Sequence, residues 1–212
     1  REVVPPEANI VARRVTPSIF GAGLVEAIPA DAIVALQDDP PGTVSGVAHM
    51  VSALEDPQGA PLHVGRFGWK AQVATLLTFS AEMGLTNRFL PIENAPNGDT
   101  AKLEACDTVP DPEDFPDEFG VDFVDRVTDF QRFLAPPPQT PRLGMTGEIV
   151  FARIGCTDCH VTTFTTGVAP EEALSDIRVK PYSDFLLHDM GALGDGIVQG
   201  SAGATKIRTP AL

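Results

Sequence analysis

Two cysteines three residues apart, followed at once by a histidine, constrain this chain more than any other feature. Cys156, Cys159 and His160 form the pattern C-x-x-C-H, which is the attachment signature of a c-type haem. One helical turn places both thiols on the same side, where each can form a thioether bond to a haem vinyl group. His160 then lies beneath the porphyrin, with a ring nitrogen directed at the iron as the proximal ligand. The pattern therefore predicts one covalent haem c with a core packed around it.

Three other origins of this pattern make weaker predictions. A thioredoxin-like redox pair belongs near a βαβ pattern, and no upstream segment has the character of a buried strand. A zinc site needs further ligands at suitable spacing, whereas Cys106 and the three other histidines are widely scattered. Chance is the third alternative, and a chain with three cysteines in total gives it little scope.

Charge and hydropathy exclude several classes of partner. The 212 residues carry a formal net charge of −14, which argues against nucleic acid or anionic lipid, since both bind basic surfaces. The same charge permits a basic redox protein as electron donor. No apolar run approaches the ~20 residues that a membrane span requires. We therefore expect no nucleic-acid partner and no membrane span.

The two ends of the sequence resemble those of a fragment. Residues 1–6 lack the charged and apolar regions of a signal peptide. Covalent haem c is normally made outside the bacterial cytoplasm, so we expect a periplasmic or otherwise exported protein whose signal is not in this chain. Residues 208–212 look cut within a segment, and we expect truncation at both ends.

Short helices joined by long loops are the predicted architecture. Twenty prolines and nineteen glycines favour a loop-rich fold. Apolar spacing and end signals predict helices over about residues 29–37, 70–83, 119–134 and 146–154. The third is expected to bury a face that carries Val124, Val127, Phe130 and Leu134. Gly84 is expected to end the second helix, and residues 40–66 to form an extended loop with short strands. The predicted fold class is mostly α, with cytochrome-c-like haem domains, long loops and little β structure.

Two small segments predict how these elements are joined. Residues 20–24, Phe-Gly-Ala-Gly-Leu, form a small-residue turn at which two backbones can approach closely. The run Ala135-Pro136-Pro137-Pro138 ends the third predicted helix and makes a stiff connector. We therefore divide the chain into residues 1–135 and 136–212.

Several further blocks agree, in order, with one family. They are VTPSIFG (15–21), GLVEAIP (23–29), GRFGWKA (65–71), residues 79–87, the C-x-x-C-H, YSDFLLHDMG (182–191) and RTP (208–210). The chain resembles the di-haem oxidoreductases that are related to bacterial di-haem cytochrome c peroxidases. The blocks run nearly from end to end, and the ordered set is far more specific than any single block.

The resemblance implies a di-haem peroxidase-type oxidoreductase. In that family an N-terminal domain carries a first C-x-x-C-H, and catalysis occurs at its haem. Here no such motif precedes residue 156, so residues 1–135 correspond to the remainder of the peroxidatic-haem domain and a second haem c is expected in the full-length protein. Residues 136–212 correspond to a truncated C-terminal cytochrome-c-like domain, whose haem resembles the electron-entry haem. A true single-haem variant is the alternative.

The resemblance also nominates catalytic residues. Trp69 resembles the family tryptophan between the two haems, where an indole offers a route for electrons. Glu82 resembles the glutamate at the open face of the peroxidatic haem, where it would take a proton from peroxide and return it to the leaving oxygen. An apolar pocket of Phe79, Met83 and Leu85 would raise the pKa of Glu82, and Gln72 is expected on its polar side. An ordinary half-buried tryptophan and a solvated glutamate are the structural alternatives.

Sixth ligands and calcium are less constrained. The peroxidases usually supply a methionine far downstream, expected here beyond Leu212. Met190 is a candidate sixth ligand within this chain and His188 a weaker one, with core packing beside the haem as the alternative for both. Calcium sometimes lies between the haems of such peroxidases, but no ligands for it can be assigned.

Two functions of different classes remain open at this point. In the first, a small redox protein or another electron donor supplies the C-terminal haem, and the electrons reduce peroxide or a similar small oxidant at the second haem. In relatives the same scaffold oxidises side chains of a partner protein, a variant of the first function that sequence does not separate from it. The alternative is a non-catalytic c-type electron-transfer cytochrome.

Overall fold

The computed structural model describes residues 4, 6–87, 116–138 and 146–212. Helix makes up 29% and strand 11% of the structure, so the predicted excess of helix over strand is confirmed. Within the described ranges, β structure is confined to short antiparallel pairs. None of the helices in these ranges combines the length and the apolar character that crossing a bilayer demands. Cys106 lies outside the described residues.

Five α-helices are described, together with three pairs of short strands. The helices are α1 (Ala22–Glu26), α2 (Ala30–Asp38), α3 (Leu76–Asn87), α4 (Phe123–Phe133) and α5 (Thr146–Arg153). The strands are β1 (Met50–Val51), β2 (His63–Val64), β3 (Phe164–Thr165), β4 (Arg178–Val179), β5 (Leu187–Asp189) and β6 (Lys206–Arg208). They pair as β1–β2, β3–β4 and β5–β6. The predicted helices that correspond to α2 and α5 are confirmed to within a residue or so, as are short strands within residues 40–66.

Helix α3 departs from its predicted bounds at both ends. It begins at Leu76 rather than Lys70, because Phe67 and Val73 pair as an antiparallel bridge and the chain between them turns through a positive φ of 48° at Ala71. Gly84 lies inside the helix and does not end it. The apolar spacing predicted the helix itself correctly, and the turn before it was missed.

Helix α4 begins where a capping box forms. The Asp122 carboxylate accepts the Asp125 backbone N–H at 2.9 Å, and the Asp125 carboxylate accepts that of Asp122 at 3.2 Å. These bonds satisfy backbone donors that a helix start leaves free, so the helix starts at Phe123 rather than Phe119.

The buried face of α4 also differs from the predicted one. Val124 is buried as expected, but Phe130 is 62% exposed. The face toward the core instead carries Thr128, which bonds the Val124 carbonyl, and Gln131, whose amide donates to Ser80 of α3. The Thr128 hydroxyl and the Gln131 amide nitrogen, each with a hydrogen-bond partner, are buried here in place of an aromatic ring, whereas Oε1 of Gln131 is buried without one among the described residues.

The main hydrophobic core combines residues from distant parts of the sequence. Its buried members come from α2 and its approach, from β2 and β3, and from the segment before β5: Ile28, Ile33, Val64, Phe164, Phe185 and Leu186. The block at residues 182–191, whose Phe-Leu-Leu run predicts a compact apolar segment, contributes Phe185 and Leu186, and both are buried. The Val47–Leu187 bridge and a hydrogen bond from the Gly167 N–H to the Ala27 carbonyl add links across residue 136. The division at residues 135/136 stays a prediction.

A buried ion network ties the end of the chain to residues before α3. The Lys70 side chain is fully buried, and its Nζ lies 2.9 Å from Oδ1 of Asp195. Arg14 donates to the other oxygen of Asp195, with Nε at 2.8 Å. Burial acts to raise the pKa of Asp195, but the hydrogen bonds from Lys70 and Arg14 outweigh it and lower the pKa to about 2.

We expect Asp195→Asn to lower the free energy of unfolding by about 3–5 kcal/mol, because it leaves a buried ammonium without its counter-ion. Since the carboxyl pKa is lowered by folding, its stabilisation is present above pH 3.8 and is lost as the pH falls towards 2. Urea unfolding across this pH range measures both effects. Asp129→Asn is the control, since its pair with Arg132 is 59% exposed at Asp129; an equal loss there would contradict the assignment.

The small-residue turn is confirmed as a close approach of two backbones. Gly23 of α1 contacts the backbone of Arg132 in α4, and an added Cβ would overlap the Arg132 carbonyl. The Gly21 N–H also donates to the Leu134 carbonyl at 2.8 Å. Glycine at position 23 thus allows α1 and α4 to touch.

A pair of glycine substitutions tests this contact. Gly23→Ala should destabilise the protein by about 1–3 kcal/mol, because the two backbones must separate to admit the methyl group. Gly147→Ala in α5 should stabilise it by about 0.4–1 kcal/mol through helix propensity, since no described atom lies within 4 Å of the added Cβ. Thermal unfolding of both variants gives the signs, and equal signs would contradict the proposed contact.

Candidate functional site

The C-x-x-C-H residues occupy a tight turn directly after α5. Gly155 takes a left-handed conformation, with φ of 84°, and redirects the chain into a 3₁₀ turn over Cys156–Asp158. The N–H groups of Cys159 and His160 both donate to the Cys156 carbonyl, at 3.4 and 2.9 Å. Residues three apart eclipse one another in such a turn, which brings both thiols to one side as predicted. Both cysteines are half-buried free thiols.

The His160 ring is oriented by a backbone carbonyl. Its Nδ1 lies 2.6 Å from the carbonyl oxygen of Tyr182. A carbonyl only accepts, so Nδ1 carries the proton and Nε2 is the basic nitrogen. Second partners of this kind fix the tautomer and ring plane of a metal-ligating histidine.

The segment that supplies this carbonyl is bonded to the motif on both sides. Asp184 N–H donates to the Cys159 carbonyl and Ser183 N–H to the Val161 carbonyl, each at 3.0 Å. We call the three hydrogen bonds between residues 159–161 and 182–184 the histidine clamp.

The thiol environment disfavours a redox-active cysteine pair. Burial raises the pKa of Cys159, and the negative charges of Asp184 and Asp158 raise it further. A thioredoxin-like cysteine instead needs a lowered pKa and an electropositive setting. The two cysteines therefore suit attachment to a prosthetic group better than thiol exchange.

Across the described ranges, no three His, Cys, Asp or Glu side chains converge as they would around one metal ion. Among those residues, neither a zinc site nor the calcium site found in some such peroxidases has a ligand set. A c-type haem does not require convergence, because its thioethers form at the porphyrin edge and its histidine binds at the centre. Two free thiols close to an imidazole whose Nε2 makes no hydrogen bond to a described residue fit a c-type haem.

A cavity of about 600 Å³ lies beside this segment. Five segments of the chain line it. They are residues 17–22 with Leu24 and Val25, residues 66–68, residues 136–138, residues 177–181, and Arg208 with residues 210–212. Leu76 and Phe79 of α3 and the side chain of Phe185 complete the wall. Its wall therefore reaches Pro181, next to the carbonyl that holds His160. On another side it reaches Gly68, next to Trp69.

Two buried guanidinium groups stand in the wall of this mostly apolar cavity. Arg66 is 7% exposed and donates to the carbonyls of Val25, Glu26 and Ile28. Arg208 is 6% exposed and donates to the Gly68 and Thr209 carbonyls.

Burial lowers the pKa of each arginine to about 10, opposed in part by the negative charges of Glu26 and Asp184. Both groups therefore stay cationic at neutral pH. A desolvated guanidinium is suited to a carboxylate, so the cavity fits an apolar ligand that carries anionic groups.

Trp69 and Gln72 both lie in the turn that precedes α3. The Trp69 indole N–H donates to the Val15 carbonyl at 2.8 Å. The backbone carbonyl of Trp69 accepts the backbone N–H of Arg208 at 2.9 Å. Gln72 was expected on the same helix as Glu82, but it lies outside α3. Its side-chain oxygen accepts the Lys70 N–H at 3.1 Å, and its amide covers Gly68.

Glu82 lies on α3, one turn beyond the cavity lining. Leu76 and Phe79 of this helix line the cavity, and Glu82 follows Phe79 by three residues, which places it on an adjoining face. The side chain is half-buried, and burial raises its pKa above the usual 4.5. The Met83 and Leu85 side chains, expected around it, lie outside the described residues.

The two candidate sixth ligands occupy different environments. Met190 follows β5 and is 41% exposed, with its N–H bonded to the Thr205 carbonyl at 2.9 Å. His188 is buried, its Nε2 lies 2.7 Å from the Asp184 carboxylate, and its Nδ1 has no hydrogen-bond partner. His188 is thus part of the core, as in the structural alternative, whereas Met190 has the exposure that a ligand to an added group would need.

Sequence reasoning missed three contributors to the site: the Tyr182 carbonyl, Arg66 and Arg208. A backbone carbonyl leaves no mark on side-chain patterns. The arginines did leave one, because each lies within a block otherwise made of small or apolar residues, GRFGW and IRTPAL. A charge in such a setting indicates a buried, bonded cation.

Comparison with known proteins accounts for this set of features. Searches of curated proteins and of solved structures found no match. Residues 6–212, nearly the whole chain, match the family described as di-haem oxidoreductase, putative peroxidase. The chain, with its C-x-x-C-H motif, therefore belongs to the di-haem oxidoreductase family.

Proposed function

We propose that the chain functions as a di-haem peroxidase, in which Cys156, Cys159 and His160 would hold a haem c that serves as the entry point for electrons to a second, peroxide-reducing haem. One observation carries the proposal. A single cavity extends from the segment that clamps His160 to the segments that hold Trp69 and Glu82. Residues beside these three groups line that cavity: Pro181 precedes the residue whose carbonyl holds His160, Gly68 precedes Trp69, and Phe79 lies one helical turn before Glu82. Up to 91 residues separate the three groups in sequence.

The same cavity suits the second haem. Its volume of about 600 Å³ and apolar wall are those of a cofactor site. A haem carries two propionate carboxylates, and Arg66 and Arg208 offer two buried cations to receive them.

The residues of the chain then have distinct duties. Cys156 and Cys159 hold the first haem covalently, and His160 offers Nε2 to its iron. When bound, haem supplies an iron centre that exchanges single electrons. Trp69 provides a polarisable ring beside the cavity wall, held by its bond to Val15.

Glu82 moves a proton. As a carboxylate it takes one from peroxide, and as a carboxylic acid it returns it to the leaving oxygen. Both forms must be accessible near the working pH, and a pKa raised by burial moves the group towards that condition.

We further propose that the haem on His160 lies in a cytochrome-c-like domain and that the protein acts outside the cytoplasm. Its electron donor is a small redox protein with a basic docking face, because the chain carries a net charge of −14.

The first test concerns covalent haem. In a host that matures c-type cytochromes, the chain should acquire haem that survives denaturation, and Cys156→Ser with Cys159→Ser should abolish this. Cys106→Ser is the matched control and should retain full haem content. The pyridine haemochrome spectrum and protein mass measure the attachment. Haem lost equally in the control, or absent from the unmodified chain, would contradict the proposal.

The second test concerns Glu82 in the full-length protein. Glu82→Gln should lower peroxide turnover about 10²–10⁴-fold, the usual contribution of a general acid–base group, while haem content is unchanged. Because burial raises the pKa of Glu82, the rate should fall with decreasing pH at a higher pH than an ordinary carboxyl would give, and this limb should vanish in the variant.

Glu172→Gln, an exposed carboxylate, is the control for the loss of charge. Unchanged turnover in Glu82→Gln would remove Glu82 from the mechanism. A full-length protein with one low-spin haem and no spectral response to peroxide would instead support the non-catalytic electron-transfer cytochrome.

A further inference from the structure

We infer that Tyr182 is a positioning residue for His160: its side chain, anchored on α5 by Glu148 and Phe151, holds a strained backbone whose carbonyl fixes the histidine. The inference rests on the proposed function, because it concerns the properties of a haem bound at His160. It adds a connection from the surface of α5 to the proximal ligand.

The backbone at Tyr182 needs an anchor. Its φ is 49°, in the left-handed region, and Phe185 three residues later has φ of 60°. For residues with bulky side chains this conformation costs about 1–3 kcal/mol and persists only where the surroundings enforce it. A relaxed backbone at residue 182 would turn the carbonyl away from His160.

Helix α5 supplies that anchor through two side chains on one face. The Tyr182 hydroxyl donates to Oε1 of Glu148 at 3.2 Å. The Tyr182 ring packs edge-on against Phe151, with centroids 5.6 Å apart and planes at 86°. Glu148 and Phe151 are three residues apart, so they present adjacent side chains to the same ring.

The anchoring carboxylate is held in its charged form. Lys180 Nζ lies 3.2 Å from the same oxygen of Glu148, and the hydrogen bonds from Lys180 and Tyr182 lower the pKa of Glu148. An ionised acceptor strengthens the bond from the tyrosine hydroxyl.

Phe151 also links the anchor directly to the ligand. Its ring lies edge-on to the His160 imidazole, with centroids 5.9 Å apart and planes at 70°. Tyr182 and His160 therefore share one aromatic neighbour and one hydrogen bond of 2.6 Å. Motion of the tyrosine ring would disturb both contacts.

The expected consequence is a change in reduction potential. A carbonyl that accepts the Nδ1 proton makes the imidazole a stronger electron donor at Nε2, which favours the oxidised iron. Loosening the anchor weakens this bond, so the midpoint potential should rise.

The test compares midpoint potentials of haem-loaded chains by spectroelectrochemical titration. Tyr182→Phe removes only the hydroxyl, and Glu148→Ala removes its acceptor while Tyr182 stays intact. Each should shift the one-electron equilibrium about tenfold towards the reduced form, which is 59 mV. Because both substitutions break the same hydrogen bond, between Tyr182 and Glu148, the midpoint potential of the double variant should shift no further than that of either single variant.

Glu172→Ala is the matched control for loss of a carboxylate and should leave the potential unchanged. Two single variants keep the test independent of either one's folding. A haem-loaded variant pair at the wild-type potential, or fully additive shifts, would overturn the positioning role and leave the proposed function standing. A wild-type chain that acquires no covalent haem would overturn both.

Discussion

The histidine clamp is the interaction on which the rest of the site depends. Its backbone hydrogen bonds, from Ser183 and Asp184 to residues 159–161, fix the position of the Tyr182 carbonyl beside Nδ1 of His160. Phe185 and Leu186 directly follow the clamp residues in sequence and are buried in the main hydrophobic core, which anchors the clamp. Burial of these two side chains therefore orients an imidazole that is itself only half-buried.

Charge is segregated between the interior and the surface of this acidic protein. The chain has an excess of fourteen negative charges, yet its deeply buried charges include three cations: Lys70, Arg66 and Arg208. Each is satisfied by backbone carbonyls, and Lys70 also by Asp195. Desolvated cations of this kind favour an anionic group in the cavity, while the excess of negative charge favours the basic partner proposed above. The two preferences do not compete, because they act in different places.

Sequence reasoning succeeded where one local pattern decides the outcome. The C-x-x-C-H turn and helices α2 and α5 each depend on neighbouring residues. The small residues at 20–24 predicted a close backbone approach, but not its distant partner, Arg132. It failed where a distant partner decides which side chain is buried. Gln131 of α4, and not Phe130, is buried because its amide bonds Ser80 of α3. The cavity was beyond prediction for the same reason, since its walls meet only through the folded core. The roles of Glu82, Trp69 and Met190 stay predictions, because their neighbours include a group that the chain has to acquire.

One carboxylate positions helix α3, which contributes Leu76 and Phe79 to the wall of the cavity. Glu26, at the end of α1, accepts the Leu76 N–H at 2.6 Å and the Arg132 Nε–H at 3.0 Å. The first bond satisfies a free donor at the start of α3 and places a negative charge at its positive end. The second joins α4 to the same point, and Gly23 one turn earlier lets the two backbones touch. The position of Phe79, and of Glu82 beyond it, thus follows from an acidic residue and a glycine more than fifty residues away.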